Sequence, residues 1–360
     1  MALKAKNYIK NHFSNSDILF TNSGRSGLQA IIEDFRLQDS KMILPSFICS
    51  DVFSTLFLQN NIEPILVDCP KDSFNVTFRD IKKAYNSCKN KGKIKSVLVL
   101  HTFGLVNKDV PKIAGWCKRK KLVLIEDCAH SINVPYKGKF VGTFGDAASI
   151  SVWKIMQLPL GGCYIKNAGK IGIRPITYKL NNLDIYRCVR FIPFGRQILD
   201  FLKFFKVKKK VMIDPSKIEI IPAPKLFDFF IISSRKVDIA QRRKYASFLY
   251  LELKKSIPRN IPPLDLENNF FHSIPLLVEN RDKIYVALLN KKINCGKMWD
   301  NPLSKDPSLL KRWRLAKTPN VDSIYSKKII NILIDDPKFN ENNIRKKARI
   351  ISSIVKKFGN

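Results

Sequence analysis

Three short apolar runs between Lys121 and Lys166 constrain this chain most. Leu122–Ile125 ends on Glu126-Asp127, Ala147–Trp153 ends on Lys154, and Cys163–Ile165 follows Gly161-Gly162. Short apolar runs bounded by glycine and charged residues read as buried strands. The pattern therefore sets a carboxylate at one strand end and a lysine just past the next. Similar runs recur upstream at Ile18–Thr21, Met42–Leu44, Pro64–Asp68 and Ser96–Leu100. Between them lie helical spacings: Leu28, Ile31, Ile32 and Phe35, then about Ser50–Asn60, Phe78–Cys88 and Val110–Lys120. Strands alternating with helices predict an α/β fold, a mostly parallel sheet covered on both faces. Ligands in such sheets gather at the carboxyl ends of strands, where Asp127 and His101 fall.

The residues at those ends suggest a chemistry. After the first run, Asn22-Ser23-Gly24-Arg25-Ser26-Gly27 turns into a helix start. A helix start offers free backbone N–H groups to an anion, and so does a plain capped helix with no ligand. A buried acid paired with a lysine is what pyridoxal 5'-phosphate (PLP) requires. The carboxylate keeps the pyridine nitrogen protonated, and the amine bonds the aldehyde. Singly, Lys154 reads as a surface lysine and Asp127 as a turn acid; together, with the Gly24 turn, they read as a cofactor site.

The same residues resemble the DegT/DnrJ/StrS family of PLP-dependent sugar aminotransferases. Glu126-Asp127-Cys128-Ala129-His130 is similar to its E-D-x-A-[QH] run, and Gly142-Thr143-Phe144-Gly145-Asp146 to its G-x-x-G-D run. Ser151–Gly162 is similar to S-x-x-K-x-x-x-x-P-x-G-G, and His101-Thr102-Phe103-Gly104 to H-x-[FY]-G. The resemblance implies a fold-type-I transferase with Lys154 and Asp127 catalytic. It implies cofactor contacts from His130, Ser149, Gly24, Arg25, Ser26 and Cys49, with Ser151 an alternative to Ser149. Arg25 stands where the family usually has Thr, and Cys49 where an aromatic ring often stacks on the cofactor. Phe47 reads as core, and Cys128 and Cys163 as small buried hydrophobes. By the same resemblance the substrate is a nucleotide-linked keto-sugar, the amino donor L-glutamate, the assembly a homodimer, and the products feed surface glycans such as lipopolysaccharide. A family branch that dehydrates sugars has His in place of the lysine; Lys154 argues against that branch. The family's partner-supplied Asn-x-Arg loop is not evident between Leu180 and Lys236. That departure keeps a PLP-binding sensor or scaffold open as the alternative reading.

Composition bounds the rest. With 360 residues and 45% hydrophobic content, a large core in more than one domain is expected. We divide the chain into a PLP-binding domain, 1–215, and a smaller α+β domain, 216–360. The latter is read from a helical stretch at Lys225–Lys254, strands at Phe270–Val278, Ile293–Trp299 and Ile329–Ile334, and helices at Lys283–Lys292 and Asn343–Phe358. Eight cysteines without a C-x-x-C pair suggest reduced thiols and no zinc site. No apolar signal core or membrane-length run is present, so a cytoplasmic protein is expected. The net charge of +34, from 64 basic and 30 acidic residues, favours anionic partners, and AT-rich coding would produce it equally. No nucleic-acid reader motif accompanies it, so no specific nucleic-acid partner is expected. Within the divergent segment 167–213, residues 179–213 interleave cations with Phe, Ile and Leu. That suits either contact with an acidic membrane surface or a helix pair with a solvated basic face.

Overall fold

A computed structural model describes residues 5–156, 161–173, 218–220, 239–334 and 339–358. The expected boundary at 215–216, the basic segment 179–213 and the start of the Lys225–Lys254 helix lie outside those residues. After a first helix, α1 (Ala5–His12), four strand–helix units and a fifth strand follow. They are β1 (Asp17–Thr21) with α2 (Gly24–Asp34), β2 (Lys41–Pro45) with α3 (Ser50–Asn60), β3 (Glu63–Val67) with α4 (Phe78–Ser87), β4 (Ile94–Leu100) with α5 (Val110–Lys120), and then β5 (Val123–Asp127). A two-strand hairpin, β6 (Pro135–Tyr136) and β7 (Lys139–Phe140), then leads to β8 (Ala147–Ile150), α6 (Val152–Met156) and β9 (Gly162–Lys166).

The large sheet has the order β1-β9-β8-β5-β4-β2-β3. Only β9 runs against its neighbours, pairing antiparallel with both β1 and β8. The carboxyl ends of β1, β2, β4, β5 and β8 therefore share one rim, and Gly162 at the start of β9 joins them. Both faces are covered. Leu28, Ile31, Ile32, Phe53 and Phe57 of α2 and α3 pack over Leu44, Leu98, Leu100 and Ile125. On the other face Ile81, Ile113 and Trp116 of α4 and α5 pack over Ile43, Val97, Val99 and Leu124. Alternate residues of β4 and β5 thus feed opposite cores, as a two-sided sheet requires.

Past the large sheet come α7 (Ile239–Ser256), β10 (Ser273–Leu277), α8 (Arg281–Asn290), β11 (Cys295–Gly296), α9 (Pro307–Arg312), β12 (Ile329–Leu333) and α10 (Glu341–Phe358). The antiparallel sheet β10-β12-β11 packs on α7, α8 and α10 through Leu249, Leu253, Ile274, Leu276, Ile284, Leu288, Ile330 and Ile351. Pro275 sits in β10 without penalty because β10 is an edge strand, where a missing donor breaks no ladder.

Two expectations are corrected. Ala147–Trp153 is not one strand: pairing stops at Ile150, and Lys154 N–H donates to Ser151 C=O at 3.1 Å to open α6. Lys154 therefore stands on a short helix. Ile293–Trp299 gives only Cys295–Gly296, and Trp299 takes a left-handed backbone, φ 57°, that no strand accommodates.

Candidate active site

Adjacent acids at the end of β5 point to opposite faces and meet opposite environments. Glu126 is fully buried. Its Oε1 accepts the N–H groups of Phe144 and Gly145, both at 2.7 Å, and its Oε2 accepts Gly142 N–H at 2.9 Å. His101 Nε2 lies 3.1 Å from the same Oε2. His101 Nδ1 accepts Asn107 N–H at 3.1 Å, which leaves Nε2 as the protonated nitrogen aimed at Glu126. This carboxylate is a structural anchor that clamps the Gly142–Gly145 turn under β5. Asp146 adds to the clamp by accepting Leu124 N–H at 2.8 Å.

Asp127 faces the rim. Its Oδ1 accepts Ala129 N–H at 2.9 Å. Burial raises the Asp127 carboxyl above its usual range, while the Ala129 N–H, Lys154 and His101 pull it back. Lys154 approaches from α6. Burial pushes its ammonium down from the ordinary lysine value; Cys49 and Asp127 oppose that, and Arg25 adds to it. Among the described residues the Lys154 amine makes no hydrogen bond or ion pair, and it lies 5.9 Å from the centre of the Trp153 ring. A buried acid and a partly desolvated, unbonded amine thus stand close together at the rim.

The start of α2 forms the next wall. Ser23 caps the helix, its Oγ accepting Ser26 N–H at 3.3 Å. A Cβ on Gly24 would stand 2.3 Å from Ser151 Oγ, so a side chain there would force that hydroxyl to turn away. Ser149 Oγ donates to Gly24 C=O at 3.0 Å, tying β8 to that start. Ser26 Oγ is held between Asn22 Oδ1, at 2.8 Å, and Glu219 C=O, at 2.7 Å. Arg25 is exposed at the helix mouth. Cys49 stands at the cap of α3 without a side-chain cap bond. Its thiol is raised by burial and lowered in turn by Lys154 and Arg25. Phe47 is core, edge-on to Phe103 at 5.8 Å and to Trp299 at 4.9 Å.

His130 closes the rim from β5. Burial holds it neutral, well below the usual histidine range, with His272 and Lys154 adding to the effect. The structure thus gathers Gly24, Arg25, Cys49, Asp127, His130 and Lys154 at one sheet end. Ser26 and Ser149 stand there too, with their hydroxyls turned to backbone partners. Sequence reasoning passed over three residues. Glu126 had a signal, an acid inside an apolar strand, one position out of phase with Asp127. His272 and Trp299 had none, since they lie far along the chain and only the packing of the C-terminal half brings them to His130, at ring distances of 4.2 and 5.4 Å.

The GDP-perosamine synthase of Escherichia coli O157:H7 is 31% identical over 126 residues, 34% of this chain and 33% of that protein. The dTDP-4-dehydro-2,3,6-trideoxy-D-glucose 4-aminotransferase of Saccharopolyspora spinosa is 30% identical over 150 residues, 41% of this chain and 37% of that one. The matched segments span only about a third of each relative's length. The crystal structure of a DegT DnrJ EryC1 StrS aminotransferase from Brucella abortus superimposes with a TM-score of 0.71 at 18% identity. It covers 97% of this chain and 88% of that one, so the fold extends over both sheets. Residues 5–168 match the model of the DegT/DnrJ/EryC1/StrS aminotransferase family.

Proposed function

We propose that this protein is a PLP-dependent aminotransferase that moves an amino group from an amino acid, L-glutamate, onto a nucleotide-linked keto-sugar. The observation that carries the reading is the approach of a half-buried, unbonded Lys154 amine to the buried Asp127 at the sheet rim. The family match and the relatives' nucleotide-sugar names support it.

The residues fit the cofactor. Asp127 is buried with its charge poorly compensated, and a pyridinium N–H beside it would restore the balance. The start of α2, with Gly24 against Ser151, is a cradle for a phosphate, and Arg25 adds charge at its mouth. Neutral His130 offers one donor and one acceptor to a ring oxygen. When bound, PLP supplies an aldehyde carbon and an electron-withdrawing ring.

The chain's own groups do the rest. Lys154 must be uncharged to act as a base, and the desolvation that lowers its pKa favours that form. It takes the proton from the α-carbon of the amino donor and returns one to the sugar carbon in the second half of the cycle. With the cofactor bound, Asp127 would keep the ring nitrogen protonated. A homodimer in the cytoplasm is the assembly the family resemblance supports. Among the described residues no helix is long and apolar enough to cross a membrane.

Absorbance of the PLP-loaded protein tests the reading. Adding L-glutamate should convert the visible band to the shorter-wavelength amine form, and a nucleotide-linked keto-sugar should restore it. A band that no amino donor changes would favour a PLP-binding sensor or scaffold instead.

A further inference from the structure

His272 belongs to the C-terminal half of the chain, yet its ring lies flat on His130, with centroids 4.2 Å apart and planes 22° from parallel. Both rings are buried, and each leaves its Nδ1 with no hydrogen-bond partner. Two phenylalanines would stack as well without that loss, so apolar packing alone does not account for two imidazoles here. The chain spends further strain to bring them together. Gly104, at φ 95°, lets residues 270–272 cross over the end of β4; a Cβ there would stand 2.9 Å from Phe271 N and 3.0 Å from His272 N. Phe270 N–H donates to Gly104 C=O and His272 N–H to Phe103 C=O, both at 2.9 Å. Phe103, Phe271 and Trp299 all hold left-handed backbone, at φ 59°, 55° and 57°. Such conformations are costly for aromatic residues and recur around functional sites. Trp299 lies over His130 too, 5.4 Å away and 12° from parallel.

We propose that His272 positions His130: stacked on it from the C-terminal half of the chain, it fixes the plane in which His130 offers a ring nitrogen to the ligand of the Lys154 site. His130 then presents that nitrogen only when residues 270–272 are docked over Gly104, so occupancy of the site and seating of the C-terminal half are linked. This rests on the PLP reading above for the identity of the ligand, while the stacking itself does not.

The experiment has two readouts. The first needs no cofactor. The chain holds only four histidines, His12, His101, His130 and His272, so ring NMR signals can be assigned by single substitution. In ligand-free protein His130 should show one fixed tautomer; His272→Ala should average it and His272→Phe should restore it. The second readout is PLP affinity and band position. His272→Ala should weaken binding about tenfold, toward the upper end of what a stacked ring pair supplies, and shift the band. His272→Phe should recover most of both. An unchanged His130 signal and unchanged PLP binding in His272→Ala would overturn the proposal. So would equal loss in Ala and Phe variants, which would make His272 a direct ligand contact. If wild-type protein takes up no PLP, the functional reading fails, and the NMR readout still decides the positioning role.

Discussion

The two faces of β5 solve opposite problems with the same chemical group. On one face Glu126 is surrounded by three backbone N–H groups and the His101 ring, so its charge is fully met and its role is to hold a turn. On the other, Asp127 is bonded by Ala129 N–H and buried beside the Lys154 amine. A satisfied buried carboxylate stabilises; an under-satisfied one stores a preference for a cationic neighbour. Stability and chemistry are thus carried by neighbouring residues, and substitution should separate them.

Lys154→Ala should give the largest effect, lowering transamination at least about 10⁴-fold by removing both the covalent anchor and the base. Its chemical denaturation midpoint should match or exceed wild type, because an unbonded, half-buried amine has gone. On the opposite face, Glu126→Ala should lose about 3–5 kcal/mol in urea unfolding, as expected when a buried, bonded charge is deleted from its partners. Asp127→Asn should invert that pattern. Activity should drop about 100-fold or more, since the ring nitrogen loses its ionic partner, while stability stays within about 1 kcal/mol of wild type. A Glu126 variant that folds normally, or an Asp127 variant that unfolds, would break the comparison.

The pH dependence of stability tests the histidine pair. His130 and His272 are both depressed well below 6.5 in the folded chain, chiefly by burial. The unfolded chain therefore binds protons below about pH 6.5 that the folded chain refuses, so stability falls as pH drops through that range. The slope is about 1.4 kcal/mol per pH unit for each such proton. Above pH 6.5 both states are neutral and these residues contribute no slope. Raised Asp127 acts the other way, favouring the folded state as pH falls toward its own titration. His272→Phe should flatten the fall between pH 6.5 and 5 in an unfolding series.

The rim was legible in sequence to the extent that its parts are local. Asp127, Lys154 and the Gly24 turn each sit at the end of an apolar run, and alternation of strand and helix brings such ends together. The secondary structure of Lys154 was misread because Val152 and Trp153 extend an apolar run past Ile150, where sheet pairing has already stopped. The Glu126 clamp was partly legible through its phase against Asp127. His272 and Trp299 were illegible, because crossing Gly104 and taking left-handed backbone are tertiary events without a local pattern.

Mass spectrometry after borohydride reduction of the PLP-treated protein tests the central claim most directly. With so many lysines on the surface, random labelling is the natural control. The account predicts one stoichiometric PLP adduct on the peptide bearing Lys154, lost in Lys154→Ala. An adduct spread over surface lysines, with Lys154 unlabelled, would contradict it.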